Sequence, residues 1–159
     1  MFVDFYRFYI SYENDKNTNN QPAQIYDWVN KAFITTTWSE IRVGHIIKVK
    51  SDEIVPADIV LLEVVHTNHY CNVDESSITG VFDKFKFKKA CTDTTSPAIK
   101  YVNFNEYVKK IKGMLKYDDP NEVMNSFQGR LKLESFPRAS IINEENFVMR
   151  GSTIKNIKY

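Results

Sequence analysis

Long apolar runs are missing from this chain of 159 residues. No stretch reaches the ~18 consecutive apolar residues of a membrane-spanning helix, and no secretory leader is evident, so this piece is expected to be soluble whatever adjoins it. Cysteine is scarce: Cys71 and Cys91 are the two, with no Cys-x-x-Cys and no histidine at ligand spacing from either. That argues against a disulfide-built scaffold and a zinc centre, and for a reducing, cytosolic setting. Glycine and proline number five each, too few for a fibrous or low-complexity chain. Excess charge of one sign is also missing. With 21 basic and 20 acidic residues the net charge is +1, so no bulk field selects nucleic acid or an anionic membrane.

What is present describes a folded domain. Apolar residues make up 43% and aromatics 14%, enough for a single sizeable core. Lysine outnumbers arginine 16 to 5, with 14 asparagines, a bias of AT-rich coding sequence that bears on origin and not on fold.

The aromatic start, Phe2, Phe5, Tyr6, Tyr9 and Ile10, has roughly helical spacing and predicts an amphipathic helix docked on the core. Glu13 to Gln24 is polar and Asn-rich and predicts a loop or linker, dividing the chain into 1–24 and a β-rich 25–159. Ile25 to Thr37 predicts a strand pair. Trp38 to Gly80 organises the rest. Ile41, Val43, Ile46, Ile47 and Val49 form a β-branched run broken at Gly44-His45, as in a hairpin. Pro56 forces a bend and holds Val55 extended, and Ile59 to Val65 reads as a strand covered on both faces. Cys71 to Gly80 reads as a polar loop ending on glycine.

Beyond Gly80, Phe82, Phe85 and Phe87 interleave with Lys84, Lys86, Lys88 and Lys89. The plain reading is an alternating strand or an extended loop with a solvated lysine face; a lipid surface, a neighbouring domain or single-stranded nucleic acid are functional readings of the same strip. Thr92 to Pro97 reads as a loop, Asn105 to Leu115 as a short helix, Lys116 to Asn121 as a turn, and Val123 to Leu133 as a strand with a bulge at Gly129. Phe136 to Arg138 reads as another loop, and Asn146 to Asn156 as a strand, a tight glycine turn and a strand.

Three motifs and two closing segments, in order, resemble the P-type ATPases: Trp38-x-x-Ile41-x-Val43-Gly44-x-Ile46-Ile47-x-Val49, then Val55-Pro56-Ala57-Asp58-Ile59, then Val73-Asp74-Glu75-Ser76-Ser77-Ile78-Thr79-Gly80, and the closing pair. Those closing segments, Asp118, Pro120, Asn121, Ser126, Phe127 and Gly129, then Asn146, Arg150, Gly151, Ile154 and Asn156, resemble the phospholipid flippase branch. The resemblance covers about residues 12 to 158. It implies a mainly β actuator domain, a distorted jelly-roll or double-stranded β-helix with short flanking helices. It also implies residues 1–24 leading from a membrane span, and a place on the cytosolic face of an integral membrane protein. It further implies that ATP and Mg belong to other domains of the parent, with no cofactor and no metal in this one. The implied partners are the phosphorylation and nucleotide-binding domains of the same parent chain and an accessory subunit, the isolated domain being a monomer.

In this family the residue after Thr-Gly or Asp-Gly is a glutamate that orients water against an aspartyl-phosphate, work that needs a hydrogen-bond acceptor at neutral pH. Here Val81 and Phe82 follow Thr79-Gly80, and neither supplies one. Asp83 is the nearest acid and the candidate substitute, displaced by two residues of up to ~3.3–3.6 Å each; misplacement by ~1 Å already costs about 10²-fold. Pro56, Ala57 and Asp58 read as architecture, with Asp58 holding its own turn. His45, His66 and His69 include a single His-x-x-His with no cysteine partner and read as surface or loop side chains.

Three functions follow from this reading. The first is a degenerate actuator domain used in interdomain coupling or regulation, such as those fused to guanylyl cyclases in apicomplexan-type protists. The second is the actuator of a working ATP-driven lipid transporter in which Asp83 replaces the glutamate. The third is a free-standing interaction domain that uses the Phe/Lys strip. In each case the isolated domain is expected not to be an enzyme.

Overall fold

The computed structural model describes residues 2–65, 69–82, 84–91, 108, 111–119, 122, 126–134 and 139–156. They form two compact units, 1–48 and 49–159. Expectations for the loops at 92–97 and 136–138, the front of the 105–115 helix, residues 123–125 and His66 lie outside the described residues.

The first unit opens with helix α1, Phe2–Asn19. It runs through most of the segment expected to be a linker, because nothing before Asn20 breaks a helix: no proline or glycine occurs until Pro22. Its described aromatics are not buried. Phe5, Tyr6, Phe8 and Tyr9 are all exposed, since apolar residues at 5, 6, 8, 9, 10 and 12 surround the helix and define no single stripe to bury. Among the described residues no helix is long and apolar enough to cross a membrane.

Strands β1, Pro22–Asp27, and β2, Ala32–Thr37, are the expected pair, in register Pro22 with Thr37 through Asp27 with Ala32. Asp27 Oδ1 accepts the Val29 N–H at 2.8 Å and holds the turn. Buried Tyr26 meets Trp28 and Phe33 edge-on, with centroids 5.1 and 5.3 Å apart. The β-branched run after Trp38 does not make a hairpin. Trp38–Glu40 is a 3-10 turn, Arg42 to His45 is a second turn with Gly44 at its bend, and β3, Ile47–Lys48, pairs with β1. Val43 stays in solvent; propensity yields where there is no sheet neighbour to pack against.

The second unit is built from small antiparallel sheets, as a β-rich fold requires. Strand β4, Ile59–Val60, pairs with β10, Phe147–Val148. The strand expected over Ile59 to Val65 is thus two residues long; Leu61 and Val64 still reach the core and Val65 does not. Strand β5, Tyr70–Asp74, lies between β6, Phe85–Lys89, and β11, Thr153–Lys155. The polar stretch Cys71 to Gly80 is therefore a strand followed by the one-turn helix α2, Ser76–Thr79, and not a loop. Strands β7, Gly113–Tyr117, β8, Gly129–Leu133, and β9, Ser140–Ile142, form a meander. Gly113 to Leu115 are strand and not helix, and Gly129 pairs in register with Tyr117 and Ile142 with no bulge.

The chain ends as strand, glycine turn and strand, with β10 and β11 pairing with different partners and not with each other. The core joins Val55, Leu61, Val64, Cys71, Val73, Ala90, Val148 and Ile154. Burial pushes the thiols of Cys71 and Cys91 up to about 11 and about 12, and both are free. They are small apolar core residues.

Candidate functional site

The site is a loop carried on a hydrogen-bonded frame. Asp74 Oδ1 accepts the Ser76 N–H at 2.9 Å, and hydrogen bonds from Ser76 hold the Asp74 carboxyl below its usual range. The Glu75 carbonyl accepts the N–H groups of Ile78 and Thr79 at 3.0 and 2.9 Å and the Thr79 hydroxyl at 3.0 Å, closing α2. Gly80 leaves it with φ +69°, a left-handed cap that suits glycine. The Val81 N–H donates to Thr79 Oγ1 at 3.3 Å. Val81 and Phe82 then stand at an exposed tip, Phe82 73% exposed. Asp83 lies outside the described residues.

Three sequence motifs separated by tens of residues converge behind that tip. The Val55 N–H donates to the Ser152 carbonyl at 2.8 Å, and Gly151 N–H returns to the Val55 carbonyl at 2.9 Å. Asp58 does not hold its own turn: its Oδ1 accepts the Arg150 N–H at 2.8 Å, fixing the start of the glycine turn. Short aspartate side chains satisfy whichever N–H faces them, and Pro56 bends the chain toward Arg150. Gly151 has φ +86°, a conformation that a side chain resists, and its carbonyl accepts the Ser77 hydroxyl at 2.8 Å. Pro56-Ala57-Asp58, Arg150-Gly151 and α2 with Thr79-Gly80 are thus one connected piece. Asn146, buried, completes the closing motif by donating to the Lys89 carbonyl at 3.0 Å and accepting the Asn143 N–H at 3.1 Å.

The Phe/Lys strip is a strand, but its faces are the reverse of those expected. Cys71 opposes Lys88 and Val73 opposes Lys86, so Lys86 and Lys88 share the inner face and Phe85 and Phe87 face outward. Lys88 is 8% exposed and donates to the Glu144 carbonyl at 2.9 Å. Glu75, 3% exposed, makes this tolerable: Lys86 Nζ is 2.6 Å from its Oε2 and Lys88 Nζ 3.4 Å from its Oε1. Both are ion pairs without well-directed hydrogen bonds to the carboxylate. The root of the loop is therefore clamped electrostatically. A cavity of about 180 Å³ opens beside the lysines, lined also by Glu144, Phe147 and Met149, below the ~300 Å³ at which small-molecule sites begin.

Among the histidines, His45 Nδ1 accepts the Arg42 N–H at 3.2 Å and His69 Nδ1 pairs with Glu63 at 2.9 Å. Sequence reasoning missed the inward lysines and the Asp58–Arg150 and Ser77–Gly151 links. Alternation alone does not say which face is inward; Cys71 and Val73 opposite the lysines carried that signal.

A profile of the P-type ATPase actuator domain matches residues 18–115. The chain belongs to the P-type ATPase actuator-domain family. The actuator domain is 32% identical over 145 residues to guanylate cyclase alpha of Plasmodium falciparum and 31% over 147 residues to a guanylate cyclase of Toxoplasma gondii, covering 91% and 92% of this chain and 3% of each relative. It is 28% identical over 148 residues to phospholipid-transporting ATPase IC of Homo sapiens, covering 91% of this chain and 11% of that relative. The actuator domain thus spans about a tenth or less of the length of these curated relatives, which include both lipid transporters and cyclases.

Proposed function

We propose that this actuator domain is a coupling or regulatory module of a larger flippase-like polypeptide and does not hydrolyse a phosphoenzyme. The observation that carries the reading is the tip Thr79-Gly80-Val81-Phe82: a loop held on a firm frame ends in two exposed apolar side chains. Neither can accept a hydrogen bond from water or orient it for in-line attack. What remains is a hydrogen-bonded frame able to transmit position. It would work on the cytosolic face of a membrane, with residues 1–24 leading from a span. It would act on phosphorylation and nucleotide-binding domains that hold ATP and Mg in the same parent chain, with an accessory subunit as a further partner. The similarity to two guanylate cyclases favours a parent in which this region is fused to a cyclase.

The test is ATP hydrolysis by the purified full-length parent. The reading expects no vanadate-sensitive turnover attributable to this loop, and no change on Asp83→Ala. Vanadate-sensitive hydrolysis that Asp83→Ala abolishes would overturn it in favour of an active lipid transporter with a re-sited acid.

A further inference from the structure

The surface around β6 carries a second message. Phe82, Phe85 and Phe87 are 73%, 53% and 73% exposed, and the last two lie on the outer face of a strand at the edge of its sheet. The Ala90 N–H donates to the His69 carbonyl, which fixes the ladder: Lys86 and Lys88 direct their backbone groups to β5. Those of Phe85, Phe87 and Lys89 therefore point to the other edge. Lys89 is closed there by the Asn146 amide. Among the described residues no strand covers the edge at Phe85 and Phe87, so donors, acceptors and two exposed rings stand together.

We propose that this edge receives an extended segment of the parent polypeptide lying outside these 159 residues, added as a strand beside Phe85 to Phe87. The inference rests on the reading of the chain as one module of a longer protein, which its coverage of 3% to 11% of the cited relatives supports. The edge also states what the segment carries. On the outer face its side chains are apolar, to cover Phe85 and Phe87; on the inner face they come beside Lys86, still 44% exposed, where a carboxylate fits. A second copy of β6 would instead bring Lys86 toward another Lys86, and inward lysines on an edge strand discourage self-pairing. Docking here anchors the strand that directly follows the Val81-Phe82 tip, so the segment would set the position of the loop.

The test places a benzoylphenylalanine photocrosslinker at Phe87 in the full-length parent, with the same label at exposed Ile141 as the reference position. Mass spectrometry then identifies what is captured. The expected result is a predominant product within one polypeptide, joining residue 87 to an extended segment outside the 159 residues and lost on Phe85→Asp. Capture of lipid, of a second copy or of residues 92–110 of this chain overturns the inference, as does a yield no higher than at Ile141. Phosphoenzyme turnover on the same preparation reports separately: a parent that turns over can still give the Phe87 product, and one that does not can lack it.

Discussion

Replacing Glu75 with alanine strips Lys86 and Lys88 of their counter-charge. At an effective dielectric near 20, an ion pair at these separations is worth ~5–6 kcal/mol of Coulomb attraction before desolvation. Lys86, Nζ 2.6 Å away, is 44% exposed, so solvent screens its pair to about 0–1 kcal/mol. Lys88 is the sensitive partner, because after Glu75→Ala its buried ammonium keeps the Glu144 carbonyl and no carboxylate within the pairs described. Removing one member of a buried pair costs about 3–5 kcal/mol. The lower end applies because the Lys88–Glu75 separation is 3.4 Å. For a chain of this size that is a fall of about 10 °C in Tm. Both tryptophans, Trp28 and Trp38, lie in the first unit, so far-ultraviolet circular dichroism in urea is the suitable readout. Lys86→Ala should cost no more than about 1 kcal/mol. The double variant Glu75→Leu/Lys88→Met should recover most of the loss, since a packed apolar pair replaces a strained ionic one. Glu75→Ala costing under about 1 kcal/mol, or a double variant no better than Glu75→Ala, refutes the clamp.

Other changes probe the frame. Asp58→Ala should destabilise by about 0.5–1.5 kcal/mol through loss of the exposed bond to the Arg150 N–H, with Asp58→Asn retaining most of the stability; chemical denaturation of the pair checks the difference. Gly151→Ala should cost about 1–2 kcal/mol through strain at φ +86°, and calorimetry that finds no loss contradicts the glycine turn. The buried thiols predict alkaline lability. Their folded pKa values, about 11 and about 12, lie above the ordinary 9.0. The stabilisation is therefore complete below pH 9.0 and lost as pH rises through the folded values. The urea midpoint should be lower at about pH 10.5 than at about pH 8, and Cys71→Ala/Cys91→Ala should flatten that difference.

Much of the fold was legible because its signals are local. The strand pair over Ile25 to Thr37, the glycine turn at Gly151 and the strand after Gly80 each depend on neighbours in sequence. The errors share a cause in partners far along the chain. Val43 has strand propensity but stands in solvent with no strand beside it, and Cys71 to Asp74 is polar enough to suggest a loop until β6 and β11 pair with it. The aromatic start reads as amphipathic from five residues and as apolar all round from seven. In the site, the segments that the resemblance marked, at Asp58, Gly80 and Gly151, lie on one connected piece, but the resemblance did not say that Asp58 reaches Arg150. Which lysines of the strip turn inward was settled by the strand opposite and by a buried Glu75, neither of which periodicity carries.

The most direct measurement of the central claim is release of labelled phosphate from the phosphoenzyme of the full-length parent, wild type beside Val81→Glu/Phe82→Thr. The account predicts no release from wild type above background. Wild-type release that persists in time and stops on Asp83→Ala would contradict it.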